Sequence, residues 1–417
     1  MKQIIIYCSL ITFIVIKSYA QTGIFYFGDT SKTLINSRII AMKESSAGEL
    51  YLLGKTSDEN YSNLHPGWYV ADKTGKVLVQ KTLEVSNPLY ELNNLVVDKD
   101  GKIMIWGTET SNDRQTPYVK AINRKGENKM NDYIMTNTTT LTGDVQQCDT
   151  NNAVFAKTVK SSTNGKYHIS IYKYSLTDSQ QEWYKTLQVE KNEMASKLLV
   201  LKDNSIVLLG RLYDDNLTSY TSLIYKISDK GEIIWRRELT IYTSFFQQGI
   251  SEGKNGKLIY VCSNNEERIA KGETQVITLN TNGEIENKTE LKDIRSNGII
   301  TLKNGNIFLY GSHYHTEGNN IIIKAKYFIF DNDLKKVKED EMGMIDAPDA
   351  LLPGLAMTVF PTSSDFIAAI QLTDGRIACG GRVYMPLETS PDKIITSARA
   401  NKSLLVLMDK DGNFRSH

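Results

Sequence analysis

The sequence predicts an all-β fold: a closed seven-bladed β-propeller built of four-stranded antiparallel blades. Three observations carry that prediction. A tight-turn motif returns about every fifty residues, each unit holds four short β-like runs, and helical apolar periodicity is absent throughout.

The N-terminus comes first in chain order. MKQIIIYCSLITFIVIKSYAQ places Lys2 before an apolar run from Ile4 to Ile16, then Ser18-Tyr19-Ala20. That pattern reads as a signal peptide, residues 1–20, with cleavage predicted after Ala20, the alternative being an N-terminal membrane anchor. The run is shorter than the roughly 20 apolar residues a membrane-spanning helix needs. A single domain over residues 21–417, secreted or periplasmic, is therefore expected. Loss of Lys2 and Lys17 takes the formal charge from +1 to −1, which offers nothing to a phosphate backbone, so no nucleic-acid partner is expected. Cleavage leaves Cys148, Cys262 and Cys379, an odd count without a C-x-x-C pair. Cys262 and Cys379 fall in apolar runs and read as small buried hydrophobes.

The repeat follows. A D/N/G turn precedes an apolar run that usually ends in Gly: SAGELYLLG ends at Gly54, DKDGKIMIWG at Gly107, LKDNSIVLLG at Gly210, KNGNIFLYG at Gly311 and TDGRIACGG at Gly381. KNGKLIYVC ends instead at Cys262, and a degenerate copy, DTNNAVFAK, ends at Lys157. A second turn follows each, at positions 75, 126, 178, 231, 283, 333 and 412, the first six separated by steps of 51, 52, 53, 52 and 50. Asp-Gly and Asn-Gly between apolar runs are the strongest short-range hairpin signal, because both positions tolerate positive φ. The last copy stops after NFRSH, one strand short. Gly23 to Gly28 (GIFYFG) has no blade of its own, so it is expected to complete blade seven and close the ring.

Labelling strands A to D from the axis outward, the short Gly turns are A–B and C–D connections on one face. The longer B–C loops lie on the other, where binding residues on a rigid scaffold concentrate. Two insertions fall on that second face. Gly305 to Gly375 spans 70 residues against 49 to 53 elsewhere, which adds about 20 around MGMIDAPDALLPGLAMTVFPTSS. Gly375 to Gly412 spans 37 against 27, adding about ten in VYMPLETSPDKIITSARANK.

The candidate binding residues on that face are Tyr61, His65, Trp68, Arg114, Arg211, Tyr213, Asp214, His313, Tyr314, His315, Arg382 and Tyr384. Aromatic faces beside hydrogen-bonding groups suit sugars or protein partners, although strand-initial residues such as Trp68 also suit the core. His313 and His315 in SHYHTEG, with Glu317, have the spacing to share a metal, but solvated loop histidines are the alternative reading, and no metal or cofactor is expected. Asp214 and Asp215, or Glu266 and Glu267, are adjacent acids that read as loop charge rather than as a glycosidase pair.

DKTGKVLV and DKGEIIW resemble the repeats of quinone-cofactor-type propellers, in which Gly and Trp dock neighbouring blades, and the repeat length is kelch-like. The D-G-x-I-x-x-x-G strands are similar to those of secreted bacterial seven-bladed propellers. A vicinal cysteine pair is absent, so no quinone is implied. The function expected is a monomeric, non-catalytic binding module for a glycan or envelope protein. The alternative is a polysaccharide lyase or glycoside hydrolase acting through His313, Tyr314, His315 and Arg382, with His or Tyr as proton acceptor and Arg neutralising a carboxylate.

Overall fold

The computed structural model describes residues 23–27, 36–58, 64–85, 89–98, 100–111, 114–128, 140–176, 180–187, 190–217, 219–239, 248–263, 273–317, 320–342, 364–386 and 399–414. They form seven antiparallel sheets. Blade one is Asn36–Glu44, Leu50–Ser57, His65–Ala71 and Val77–Thr82, and blades three to six repeat that order of pairing. In blade two, Leu89–Val97, Ile103–Ser111 and Arg114–Ile122 pair, with a single bridge from Ile122 to Asn128 in the fourth place. Blade seven joins Ser364–Gln371, Ile377–Pro386 and Arg399–Met408 to Gly23–Phe27. Gly23 lies opposite Leu407 and Phe27 opposite Ser403, so the N-terminal strand closes the ring as expected.

Apolar clusters fill every gap between successive blades. One links Met42 and Leu52 of blade one to Leu405 and Leu407 of blade seven, so the circle is complete. Four of these gaps are locked at the outer side by an aromatic ring over a turn glycine. Trp68, Trp183 and Trp235 donate their indole N–H to the carbonyls of Arg124, Asp229 and Thr281 at 3.0, 2.9 and 2.9 Å. A Cβ on Gly126, Gly231 or Gly283 would press on those same three indoles. Phe25 covers Gly75 in the same way, tying blade seven to blade one. Near the axis, the side chains of Glu44, Glu252 and Gln371 accept the backbone N–H of Thr373, Lys202 and Lys303 in the preceding blade, at 2.6, 2.8 and 2.6 Å.

The turn chemistry explains the motif. In D-x-x-G-x the first side chain accepts two backbone N–H groups, as Asp72 does from Thr74 and Lys76 at 2.8 and 3.1 Å, and Gly75 takes φ +88°. Where Gly is missing, Asn204 and Leu334 adopt positive φ themselves.

The glycine that ends strand B has a different cause. In blade one Ile39 faces Gly54 and Ala41 faces Leu53, so Ile40 is bulged out of the A strand. The same one-residue bulge recurs opposite Gly107, Gly210, Gly311 and Gly381. It turns an A-strand carbonyl onto the glycine: a Cβ on Gly210 would stand 2.8 Å from the Met194 oxygen, and one on Gly381 would collide with that of Asp365. Blade five, with Cys262 in the glycine's place, has no bulge in its A strand. Blade three, with Lys157 there, carries the crowded glycine on its A strand instead, where a Cβ on Gly143 would strike the Ala156 carbonyl.

Among the described residues no helix is long and apolar enough to cross a membrane. Cys262 and Cys379 are buried free thiols, and burial pushes the Cys262 thiol up to about 12.

Candidate functional site

Strand alternation decides where the expected residues point. The segment SHYHTEG is not a loop: Ile307–Glu317 is one strand, paired with Asn320–Phe330. Adjacent strand residues face opposite sides of a sheet. Ile307 and Leu309 pack toward blade five, whereas Phe308 and Tyr310 pack toward blade seven. His313 continues the first row and Tyr314 the second. His313 Nδ1 lies 2.9 Å from Glu341, which also accepts Lys324 at 3.1 Å. Burial works to raise the Glu341 carboxyl, and the His313 and Lys324 contacts outweigh it, leaving it below the usual range. Tyr314 instead accepts from Arg295 at 3.2 Å.

Arg382 belongs to a third set. Its guanidinium lies 3.7 Å from the buried Asp365, which also accepts the Asn297 amide at 2.6 Å. Burial holds the Asp365 carboxyl above its ordinary range. The histidine, the tyrosine and the arginine thus meet three different partners. His315 pairs with Ile322 in the backbone, and its side chain is outside the described residues, as are those of Arg114 and Tyr384. Tyr61, Glu266, Glu267 and the cores of both insertions, 343–363 and 387–398, are outside them as well.

Five other expected residues make local packing and hydrogen-bond contacts. Trp68 is fully buried between blades one and two. Tyr213, 7% exposed, packs on Tyr220 with ring centroids 5.1 Å apart, and Arg211, 9% exposed, lies over the Tyr220 ring at 5.5 Å. Asp214 accepts the Ser219 hydroxyl at 2.9 Å and N–H at 3.2 Å, which holds its own loop closed. His65 opens its strand half-buried, and its carbonyl accepts from Thr56 at 3.2 Å.

The B–C loop face does hold a cleft, between blades three and four, of about 360 Å³. Lys160, Asn164, Lys166 and Tyr167 border it from blade three, and Asn192, Asp215 and Leu217 from blade four. Asn192 joins the two blades: its Oδ1 accepts the Tyr167 N–H at 3.0 Å and its Nδ2 donates to the Asp214 carbonyl at 3.4 Å. The next residue, Glu193, is fully buried and accepts the Tyr225 hydroxyl at 2.7 Å and Arg236 at 2.9 Å. Such a satisfied buried network fixes the strand that carries Asn192. At the rim, Lys166 donates to Asp215 at 3.1 Å and to the Glu190 carbonyl at 2.9 Å. Lys160 lies 5.7 Å from the Tyr167 ring centre. Of these seven residues, only Asp215 stands out in the sequence. The available signal was KSSTNGKY, a Gly turn flanked by lysines and ending in an aromatic.

No group of three or more potential metal ligands converges among the described residues. No family model matches the chain, and no curated protein matches it. Solved structures match its shape. A polysaccharide lyase aligns over 89% of each chain at 9% identity with a TM-score of 0.52. A protein of unknown function from Dyadobacter fermentans covers 92% of this chain and 97% of its own, at 11% identity and a TM-score of 0.48. An alpha-L-arabinanase of Penicillium chrysogenum covers 94% and 98%, at 10% identity and 0.43. At such identities the likeness is one of fold.

Proposed function

We propose that the chain is an exported, non-catalytic β-propeller that binds a glycan on its B–C loop face, in the cleft between blades three and four. One observation carries the reading: Tyr167, two amides and three charged groups border a single concave space on a rigid two-blade support. An aromatic face beside hydrogen-bonding groups is what a sugar ring needs, apolar on one side and hydroxylated at its edge. The lyase of similar fold acts on polysaccharide by name, so a scaffold of this shape accommodates such a ligand. The dispersal of His313, Tyr314 and Arg382 favours binding over turnover.

Calorimetric titration against neutral and acidic oligosaccharides, run beside turnover assays on the same panel, tests this. Binding without product is expected, weakened about tenfold or more by Tyr167→Ala, which is about 1.4 kcal/mol. Silence across the panel, or affinity indifferent to Tyr167→Ala, would sink it. Product formation lost in His313→Ala or Tyr314→Phe would establish the enzymatic reading instead. Export is checked by N-terminal sequencing of the processed chain, expected to begin at Gln21.

A further inference from the structure

We infer that the cleft between blades three and four selects an acidic sugar, one bearing a carboxylate or sulfate at the ring edge; this rests on the glycan-binding reading above. Lys160 is exposed at the cleft wall with its ammonium 5.7 Å from the Tyr167 ring centre, and no described carboxylate forms an ion pair with it. The ammonium lies over the Tyr167 ring, so a sugar that takes this face moves the flexible lysine chain aside and meets its charge at the sugar's own edge. Across the cleft Lys166 is held by Asp215, whose side chain is 83% exposed. Exposed ion pairs of that kind contribute little, so an incoming anion competes with Asp215 at small cost. The lining carries two ammonium groups against one carboxylate, an excess of one positive charge. Asn164 and Asn192 add amide groups beside them. A neutral sugar would partly desolvate Lys160 without giving it a counter-charge, whereas an acidic one supplies a charge-assisted hydrogen bond. Uronate and sulfate sugars share this chemistry.

The test titrates the full-length mature protein with size-matched neutral, uronate and sulfated oligosaccharides, and with polyglutamate, at low and at physiological salt. The acidic sugars are expected to bind about tenfold or more tightly than the neutral one, and to lose affinity as salt rises. Lys160→Gln is expected to abolish the preference by lowering acidic-sugar affinity about tenfold or more toward that of the neutral sugar, while Lys160→Arg retains it. Because Lys160 is exposed, both variants should unfold at the wild-type temperature, which keeps a binding loss interpretable. Whether uronate or sulfate binds tighter identifies which anion the site takes, and either result supports the inference. Neutral binding as tight as acidic, still dependent on Tyr167, overturns the charge selection and leaves the glycan reading standing. Polyglutamate binding with the same Lys160 dependence, and no sugar binding, overturns both in favour of an acidic protein segment.

Discussion

Glu49 and Arg124 join two turns on the short-turn face, one from blade one and one from blade two. Arg124 Nε and Nη2 donate to the two Glu49 oxygens at 2.6 and 2.5 Å, and the Arg124 contact holds the Glu49 carboxyl below its ordinary 4.5. A carboxylate depressed in the folded state contributes stability that is present above the unfolded value and fades as pH falls through the folded one. Glu49→Gln is therefore expected to cost about 0.5–1 kcal/mol at neutral pH, a figure discounted because Arg124 is 42% exposed. The deficit should shrink below pH 4.5 and vanish at lower pH, as denaturant melts of the two proteins would reveal; a gap that persists in acid would contradict the assignment. At this scale the sequence was least informative. The types in SHYHTEG promised a cluster, yet alternation sends His313 and Tyr314 into different gaps between blades. Tyr167 and Lys160 share a cleft because a short turn folds them together beside Asn192, a residue 25 positions on from Tyr167.

A strand and its turn show why the consensus glycines are two populations. Gly101 has φ +75° and open space where a Cβ would go, so Gly101→Ala bears only the left-handed penalty of about 1–2 kcal/mol. Gly381 faces a carbonyl of its neighbouring strand, and Gly381→Ala must push that strand away or lose the bulge. Its expected cost is about 3 kcal/mol or more. Chemical denaturation of the two variants would rank them, and equal losses would refute the distinction. The hairpin motif, the turns and the fifty-residue period were all legible, because each depends on residues within a few positions. The bulge was not, since its cause is a carbonyl on a partner strand. The copies that break the pattern, at Lys157 and Cys262, mark the two blades that lack the one-residue A-strand bulge opposite a strand-B glycine. Blade six also outran its reading: SHYHTEG looked like loop because a long hairpin whose tip leaves the core needs no apolar row.

The ring closes through five residues, Gly23–Phe27, and no other described strand pairs with that edge. A chain starting at Asn36 would lose Phe25 over Gly75 and Phe27 beside Tyr69, whose ring centres are 5.7 Å apart. It would also leave Arg399–Met408 as an unpaired edge strand, open to pairing with another copy. Its apparent melting point should fall by about 10 °C, the scale of several kcal/mol in a chain this large, with higher-mass species in light scattering. A monomer melting like the full ring would deny the closure any energetic role. The closing strand also has a direction. Gly23 sits opposite Leu407, beside the turn from Asp409 to Gly412, so these first and last described segments meet at the same flat side. A label attached at Gly23 or in the turn from Asp409 to Gly412 would therefore sit on the underside. The space around Tyr167 opens on the far side of the disc from both positions.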